Sequence, residues 1–439
     1  MVKMQHLSQE KDSRNDSPII AYVSSDEIVS FLDRDESFFD GYAYEWEGEN
    51  VVHLHFHPLI HAFGLTSKCR FQKSETCSLD DFSNQVRYVV CISNNPNSIK
   101  INIKGYTIKD GVLQNFDCAI IPGRDDMYSR SKGLIEVDTL TNKHVVIVGL
   151  GSFGSQIAIE LSKAGVGSFS LFDFDRVELH NLGRHTCTTK DLGRLKIDAI
   201  EEAIHGKNPT AIVIKYPINI LKERQTFLNV LATSDLVICA TDNNDSRYLI
   251  SKGLYDNKKV GIFGRAITRA AGGDVFRYTP GGPCYCCLLG THVINPHNEE
   301  ISSLEAGRRS GAIPAYASEA DANAVVQIGL SIDIEPICNM MLKLALLELS
   351  RGEDSGIQSL EEDLKYDAYI WANRRDNNFA NWHPFYKSGS KQTILKWYGI
   401  TIPKDEHCAI CSDNIRLDTG TLVPSNPYKD LADKDFGLG

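Results

Sequence analysis

The sequence contains little that would direct it to a membrane or to nucleic acid. No apolar run approaches the ~20 residues that a membrane-spanning helix needs. Lys and Arg total 46 against 57 for Asp and Glu, and the net charge of -11 lacks the electrostatic footprint of a general nucleic-acid-binding protein. Residues 1–17 have no apolar signal core, so we expect a cytoplasmic protein that is not exported.

The composition is otherwise that of an ordinary globular protein. Hydrophobic residues make up 42% of the chain and charged residues 23%. At roughly 150 residues per domain, 439 residues allow two or three domains. Twelve cysteines in a chain that is not exported favour reduced thiols and a metal site over a disulfide framework.

We predict a flexible tail over residues 1–17 and a smaller α+β or mostly β domain over residues 18–122. Short apolar runs with β-branched residues, such as 51–57 and 86–91, indicate strands there. His53, His55 and His57 precede Pro58, and this HxHP segment resembles the metal-binding segment of JAMM-type proteases. The serine and aspartate that continue that pattern cannot be placed, so we interpret the histidines as one face of a strand.

A different pattern begins at Lys143 and predicts an α/β domain over residues 123–439. The apolar run 144–148 is typical of a buried parallel strand, and a helical pattern over 155–164 ends at Gly165. Further strands are predicted over 169–173, 211–216, 236–240 and 260–263. This alternation favours a doubly wound, mostly parallel, Rossmann-like sheet.

The loop between the first of these strands and its helix reads GLGSFG. Gly149, Gly151 and Gly154 would let the backbone approach phosphates, and the helix that opens at Ser155 would offer free N–H groups. Asp173, at the end of the next strand, is placed to bind ribose hydroxyls. To this point an NAD-dependent dehydrogenase fits as well as an ATP enzyme.

The following motifs separate these two alternatives. A DxDxVxxxNLxR pattern spans 173–184, GxxK ends at Lys196, and TDN follows another apolar strand at 241–243. Together with the glycine loop, this order resembles the ubiquitin-activating-enzyme superfamily, specifically the ThiF/MoeB-type adenylyltransferases, over about residues 126–411. The resemblance implies adenylation of a carboxylate by ATP with release of pyrophosphate, and it argues against the dehydrogenase.

Residue roles follow from the resemblance. Arg184 and Lys196 would hold the phosphates, and Asp242 would hold Mg²⁺, a hard cation that prefers oxygen ligands. Asn181 would orient the phosphate region, while Asp175 lies in the same loop without a clear role. Arg130 matches part of an upstream segment whose arginine reaches the partner subunit's ATP in relatives, which implies a homodimer. His185 departs from the glutamine that relatives carry after the NLxR arginine.

Two CxxC pairs supply four possible zinc ligands. Cys284 with Cys287 and Cys408 with Cys411 could form a tetrahedral structural site, and relatives close their sheet domain in this way. Cys286 could replace a neighbouring ligand.

The position of a thioester cysteine is less clear. Many members of the superfamily carry one after the first CxxC, but the next cysteine here is Cys338, in a segment that we interpret as a buried helix. Cys187 follows Arg184 closely, and nearby cations could lower its pKa, so it is the candidate.

We therefore expect an adenylyltransferase acting on the C-terminal glycine of a ubiquitin-like or sulfur-carrier protein. The crossover segment 290–325 would clasp the carrier's C-terminal tail. The chain most resembles activating enzymes of bacterial ubiquitin-like conjugation operons. This resemblance implies a conjugating enzyme as partner and a role in antiviral defence. The first domain would recruit either the carrier or the conjugating enzyme. Sulfur transfer in thiamine or molybdopterin synthesis, adenylation of a peptide or tRNA base, and a non-catalytic scaffold remain alternatives.

Overall fold

The structure, a computed structural model, describes residues 19–46, 49–58, 64–83, 85–94, 101–121, 127–266, 270, 272–290, 330–373 and 394–412. The predicted tail and nearly all of the predicted crossover segment lie outside these ranges. The chain divides into two compact units, Met1–Arg130 and Ser131–Gly439. None of the helices within the described ranges combines the length and the apolar character needed to cross a bilayer.

The first unit is a closed sheet of seven strands. Their order is β1-β3-β2-β4-β5-β6-β7, and β7 pairs with β1 in parallel to close the sheet. One α-helix is present among the residues described in this unit, so the unit is mostly β, which is the second of the two alternatives predicted from the sequence. The bounds are β1 Ile20–Ser24, α1 Ser25–Leu32, β2 Phe38–Trp46, β3 Val51–His55, β4 Leu65–Gln72, β5 Val86–Asn94, β6 Ile101–Lys109 and β7 Val112–Ile121.

Alternation along β3 separates its core from its outer face. Val52 and Leu54 are buried in the interior with Phe31 of α1, whereas His53 and His55 lie on the opposite face. The rings of the two histidines stack with centroids 6.4 Å apart, and His55 Nδ1 lies 3.6 Å from Glu27. His53 and His55 therefore share one face of β3, as interpreted from the sequence.

The second unit contains an eight-stranded sheet in the order β10-β9-β8-β11-β12-β13-β14-β15. The five neighbouring strands β10, β9, β8, β11 and β12 pair in parallel. Strands β13, β14 and β15 are antiparallel to their neighbours. The expected doubly wound sheet is therefore parallel only over its first five strands. The strand bounds are β8 His144–Val148, β9 Ser168–Phe172, β10 Ile212–Tyr216, β11 Leu236–Cys239, β12 Val260–Ala266, β13 Gly272–Tyr278, β14 Ala368–Ala372 and β15 Lys396–Ile400.

Helices cover both faces of this sheet. Successive residues of β8 alternate between two hydrophobic clusters, since Val145 and Ile147 belong to one and Val146 and Val148 to the other. The first cluster includes α3, α4 and α8, and the second includes α5, α6 and α7. The helix bounds are α2 Val137–Thr141, α3 Ser152–Ala164, α4 Lys196–His205, α5 Arg224–Thr233, α6 Asn244–Asn257, α7 Tyr285–Gly290 and α8 Ser331–Leu349.

Candidate active site

The glycine loop joins β8 to α3 in a tight turn. Gly149 has φ +86°, and a Cβ there would lie 2.7 Å from the carbonyl oxygen of Ala240. A Cβ on Gly154 would lie 1.8 Å from the carbonyl oxygen of Gly149. Only glycine fits at both positions. The helix begins at Ser152 and not at Ser155 as predicted, because Gly154 already lies in the first helical turn and packs against the loop.

The N-terminus of α3 has room for an anion. Gly151 is the N-cap residue, no side chain caps the helix, and a Cβ on Gly151 would meet no atom within 4 Å. The first N–H groups of a helix have no intrahelical acceptor and carry partial positive charge. Ser155 is fully buried, and its hydroxyl has no hydrogen-bond partner among the described residues.

A cleft of about 520 Å³ opens beside this helix N-terminus, at the carboxyl ends of the parallel strands. This is the edge where open α/β sheets bind ligands. The cleft gathers most of the residues that the sequence indicated, namely Gly149, Gly151, Asp173, Asp175, Asn181, Arg184, Lys196 and Asp242.

Asp173 holds the glycine loop in place. Its two carboxylate oxygens accept hydrogen bonds from the backbone N–H groups of Leu150, at 2.6 Å, and Asp175, at 2.8 Å. Burial raises the pKa of this carboxyl group, and the ammonium of Lys196 opposes that shift. Asp173 therefore supports the loop as well as facing the cleft.

Lys196, the first residue of α4, is a buried cation in the cleft. Its Nζ lies 2.9 Å from Asp175 Oδ2, and its backbone N–H donates to the carbonyl oxygen of Asp175 at 3.0 Å. Burial alone would lower the pKa of Lys196, but Asp173, Asp175 and Asp242 together raise it. The lysine thus remains charged and lies among carboxylates. A bound phosphate would take their place as its partner.

Arg184 follows a short 3₁₀ turn, Leu179–Asn181, that Asn181 organises. The side-chain Oδ1 of Asn181 accepts from the N–H of Glu178 at 2.9 Å, and its backbone carbonyl accepts from the N–H of Arg184 at 2.9 Å. Asn181 therefore shapes the turn that brings Arg184 to the cleft.

Asp242 is exposed at the cleft and lies on a loop whose position is stabilised by hydrogen bonds with α6. Arg247 donates from Nη2 to the carbonyl oxygen of Thr241 at 2.6 Å and from Nη1 to Asn244 Oδ1 at 3.3 Å. The side chain of Asn243 caps α6 by accepting from the N–H of Ser246 at 2.9 Å. The loop position is thus set by α6.

His185 bridges two parts of the cleft that are distant in sequence. Its Nε2 lies 2.6 Å from the carbonyl oxygen of Leu150, and the N–H of Cys187 donates to its Nδ1 at 3.1 Å. Burial lowers the pKa of His185, and the charge of Lys196 acts in the same direction.

Cys187 and Arg130 lie in different surroundings. Burial raises the pKa of the Cys187 thiol to about 11, which is opposite in direction to the lowered pKa that we expected of a nucleophile. Arg130 is exposed on a 3₁₀ turn in the first unit. Its predicted action on a partner subunit stays a prediction.

The four predicted zinc ligands meet at one point. The sulfurs of Cys284, Cys287, Cys408 and Cys411 lie within 4.8 Å of one another, and all four side chains are buried. Three Sγ–Sγ distances are 3.8, 3.4 and 3.4 Å, close to the ~3.8 Å that a tetrahedral zinc with Zn–S bonds of about 2.3 Å requires. Backbone N–H groups donate to the sulfurs of Cys287 and Cys408, as suits thiolate ligands. Cys286 does not belong to the group.

Sequence reasoning missed part of the cleft lining. Ile334 of α8 and the segment Ile218, Asn219, Ile220 and Leu221 line it, as does His185. The segment follows β10, and the end of a predicted parallel strand was a usable signal for it. For Ile334 the sequence held no comparable signal, whereas the position of His185 directly after the NLxR arginine was a usable one.

The fold and the cleft define a class: an α/β protein whose cleft lies at the carboxyl edge of a parallel sheet, beside a helix N-terminus. Residues 128–361, just over half of the chain, match the ThiF family. The chain belongs to this family.

Individual relatives agree with this assignment. The chain is 32% identical over 236 residues to the sulfur carrier protein adenylyltransferase of Thermus thermophilus, covering 51% of this chain and 84% of that protein. It is 35% identical over 152 residues to the molybdopterin-synthase adenylyltransferase of Escherichia coli, covering 34% of this chain but only 60% of the relative's length. The solved structure of E. coli MccB with MccA-N7isoASN matches 63% of this chain and 69% of its own, with a TM-score of 0.45 and 16% identity.

Proposed function

We propose that this protein is an ATP-dependent adenylyltransferase that activates the C-terminal glycine of a ubiquitin-like or sulfur-carrier protein. The observation that carries the proposal is the convergence of Arg184, Lys196 and Asp242 with the glycine loop in one cleft. Membership of the ThiF family and the similarity to two adenylyltransferases support it.

The chemistry requires a carboxylate to attack the α-phosphate of ATP while pyrophosphate leaves. Two anions must approach, so fixed positive charge has to stabilise the developing transition state. Arg184 and Lys196 would supply this charge, and the N–H groups at the start of α3 would bind phosphate oxygens. Asp173 would position the ribose.

Asp242 would hold the Mg²⁺ that accompanies ATP. Its exposed carboxylate is an oxygen ligand of the kind that Mg²⁺ prefers, and it faces the same cleft as the two cations. When bound, the metal would neutralise phosphate charge. The buried four-cysteine group would hold Zn²⁺ in a structural role.

Several further partners belong to the same proposal. Arg130 would complete the ATP site of a second copy, making the enzyme a homodimer. The first unit would recruit the carrier or a conjugating enzyme, and residues 290–325 would clasp the carrier tail. Cys187 is retained as the thioester candidate, although burial of its thiol favours transfer of the carrier's acyl group from the adenylate to a thiol on another protein, with release of AMP.

ATP–pyrophosphate exchange tests the reaction directly. With a carrier ending in glycine, we expect exchange that falls at least about 100-fold in Asp242→Ala, in line with the loss of electrostatic stabilisation at an active site. Asp245→Ala is the matched control, because Asp245 is an exposed carboxylate in the first turn of α6 that does not line the cleft. A folded, zinc-loaded protein that exchanges with none of a panel of carriers would favour the scaffold alternative.

The product formed from the carrier distinguishes a role in cofactor biosynthesis from a role in ubiquitin-like conjugation. A thiocarboxylate formed with a sulfur donor would place the enzyme in cofactor biosynthesis. A carrier transferred to a conjugating enzyme would place it in ubiquitin-like conjugation. Mass spectrometry of the carrier after reaction with each set of partners distinguishes them.

A further inference from the structure

We propose that His185 is a positioning residue that fixes the glycine loop and the Arg184 turn in their phosphate-binding arrangement. This inference rests on the proposed function, since it assigns His185 a role in binding ATP. The residue lies in the cleft but was given no role above.

The two contacts of His185 define one tautomer. The carbonyl oxygen of Leu150 can only accept, so Nε2 must carry a proton and donate to it at 2.6 Å. The N–H of Cys187 can only donate, so Nδ1 must offer a lone pair at 3.1 Å. A neutral imidazole protonated on Nε2 satisfies both contacts at once.

The contact with Leu150 controls the direction of a phosphate-facing amide. In a trans peptide the C=O and the next N–H point in opposite directions, so holding the Leu150 carbonyl also orients the N–H of Gly151. The N–H of Leu150 is itself held by Asp173. Asp173 and His185 thus hold the loop on either side, and His185 keeps a carbonyl oxygen from turning toward bound phosphate.

The contact with Cys187 acts on the other side of the cleft. It closes a local turn directly after Arg184, which links the direction of that arginine to the glycine loop. Leu150 and His185 are 35 residues apart, so this link is tertiary. Loss of the imidazole would remove this link and leave Asp173 to hold the glycine loop and Asn181 to hold the Arg184 turn.

Protonation would break this arrangement. A charged imidazole carries a proton on both nitrogens, so Nδ1 would face the N–H of Cys187 with no lone pair. The charged groups that act on the ring are Lys196 from α4 and Asp191 from the 3₁₀ turn Thr189–Asp191. Burial and Lys196 lower the pKa of His185, so the neutral form persists through neutral pH and the arrangement is lost only as the pH falls into the acid range.

The test compares two variants by calorimetric titration with ATP and Mg²⁺ across the pH range. His185→Gln keeps one donor and one acceptor but cannot titrate, whereas His185→Leu keeps neither. For His185→Leu we expect a Kd for ATP at least about tenfold higher than the wild type at neutral pH, as for loss of a buried hydrogen bond, and a difference that shrinks as the pH falls and the wild-type ring is protonated. His185→Gln should be weakened less at neutral pH and should lack the acid decline of the wild type.

Nitrogen-15 NMR of the imidazole gives a second readout that does not depend on ATP. We expect the wild-type ring to be protonated on Nε2 alone and to titrate below the usual histidine range. A ring protonated on Nδ1, an unchanged affinity in His185→Leu, or an undiminished acid decline in His185→Gln would overturn the inference. A wild type that binds no ATP at any pH would contradict the proposed function instead, and the ring's tautomer would still test the contacts of His185.

Discussion

Lys196 Nζ lies 2.9 Å from the carboxylate of Asp175, inside the cleft that Arg184 and Asp242 also line. The lysine is buried, while about half of the Asp175 side chain is exposed. Under the proposed function, this ion pair holds the Lys196 ammonium where the phosphates of ATP would bind. When Lys196 turns from Asp175 to a phosphate, solvent can stabilise the exposed carboxylate of Asp175.

Replacing Lys196 by methionine should weaken ATP binding with little effect on the fold. Methionine keeps the apolar stem that packs at the start of α4, and Asp175 can be solvated. Loss of a charge-assisted hydrogen bond predicts a Kd for ATP higher by about tenfold or more, measured by calorimetry. Thermal unfolding should shift only slightly.

Lys190→Met provides the comparison for this variant. Lys190 forms an exposed ion pair with Glu202 at 2.8 Å, away from the cleft. It should change neither ATP affinity nor the unfolding temperature appreciably, because exposed pairs contribute about 0–1 kcal/mol. Equal ATP affinities in the two variants would argue against a phosphate role for Lys196.

Removing one ligand of the four-cysteine group should release zinc and destabilise the second unit. Structural zinc contributes on the order of 10 kcal/mol to folding, so Cys408→Ser should unfold at much lower temperature and bind substoichiometric zinc. Cys286→Ser should keep a full zinc content, because Cys286 lies outside the group. Metal analysis and calorimetry of both proteins check this, and zinc loss in Cys286→Ser alone would reassign the ligands.

The sequence predicted those parts of the site that depend on local pattern. The glycine loop, Asp173 and the paired CxxC motifs are recognisable because each is a short segment with a fixed spacing. His185 was noted only as a departure, since its contact with Leu150 joins residues 35 positions apart. The closed sheet of the first unit was not predicted either, because the pairing of β1 with both β3 and β7 is non-local and leaves no periodic signal in the sequence.

Arg265 and Asp274 form a buried ion pair between β12 and β13. Their side chains are 2% and 3% exposed, and Nε lies 2.9 Å from Oδ2. Asp274→Ala should lower the free energy of unfolding by about 3–5 kcal/mol, because it removes one partner of a buried ion pair. Urea denaturation measures the change.

A double replacement tests the reason for this loss. Arg265→Met combined with Asp274→Leu removes both charges and should recover much of the stability lost in Asp274→Ala. Glu160→Ala breaks the exposed pair with Lys163 and should cost at most about 1 kcal/mol. If the double variant were as unstable as Asp274→Ala, packing and not charge would explain the effect.

Tyr285 connects the four-cysteine group to the loop that carries Asp242. It follows the zinc-ligand candidate Cys284, and its hydroxyl donates to Asn244 Oδ1 at 3.2 Å. The same oxygen accepts from Arg247, which in turn donates to the carbonyl oxygen of Thr241, directly before Asp242. The ring is buried and stacks on Phe263 with centroids 5.1 Å apart, so the hydroxyl has a fixed position.

Tyr285→Phe should therefore loosen the Asp242 loop without releasing zinc. Loss of one neutral hydrogen bond predicts a free energy of unfolding lower by about 1 kcal/mol and full zinc occupancy. ATP affinity measured with Mg²⁺ should fall severalfold, while affinity measured with EDTA present should change little, because Asp242 acts through the metal. Asn244→Leu, which removes the acceptor, should reproduce this difference. Equal weakening with and without Mg²⁺ would show that the connection reaches the whole cleft and not Asp242 in particular.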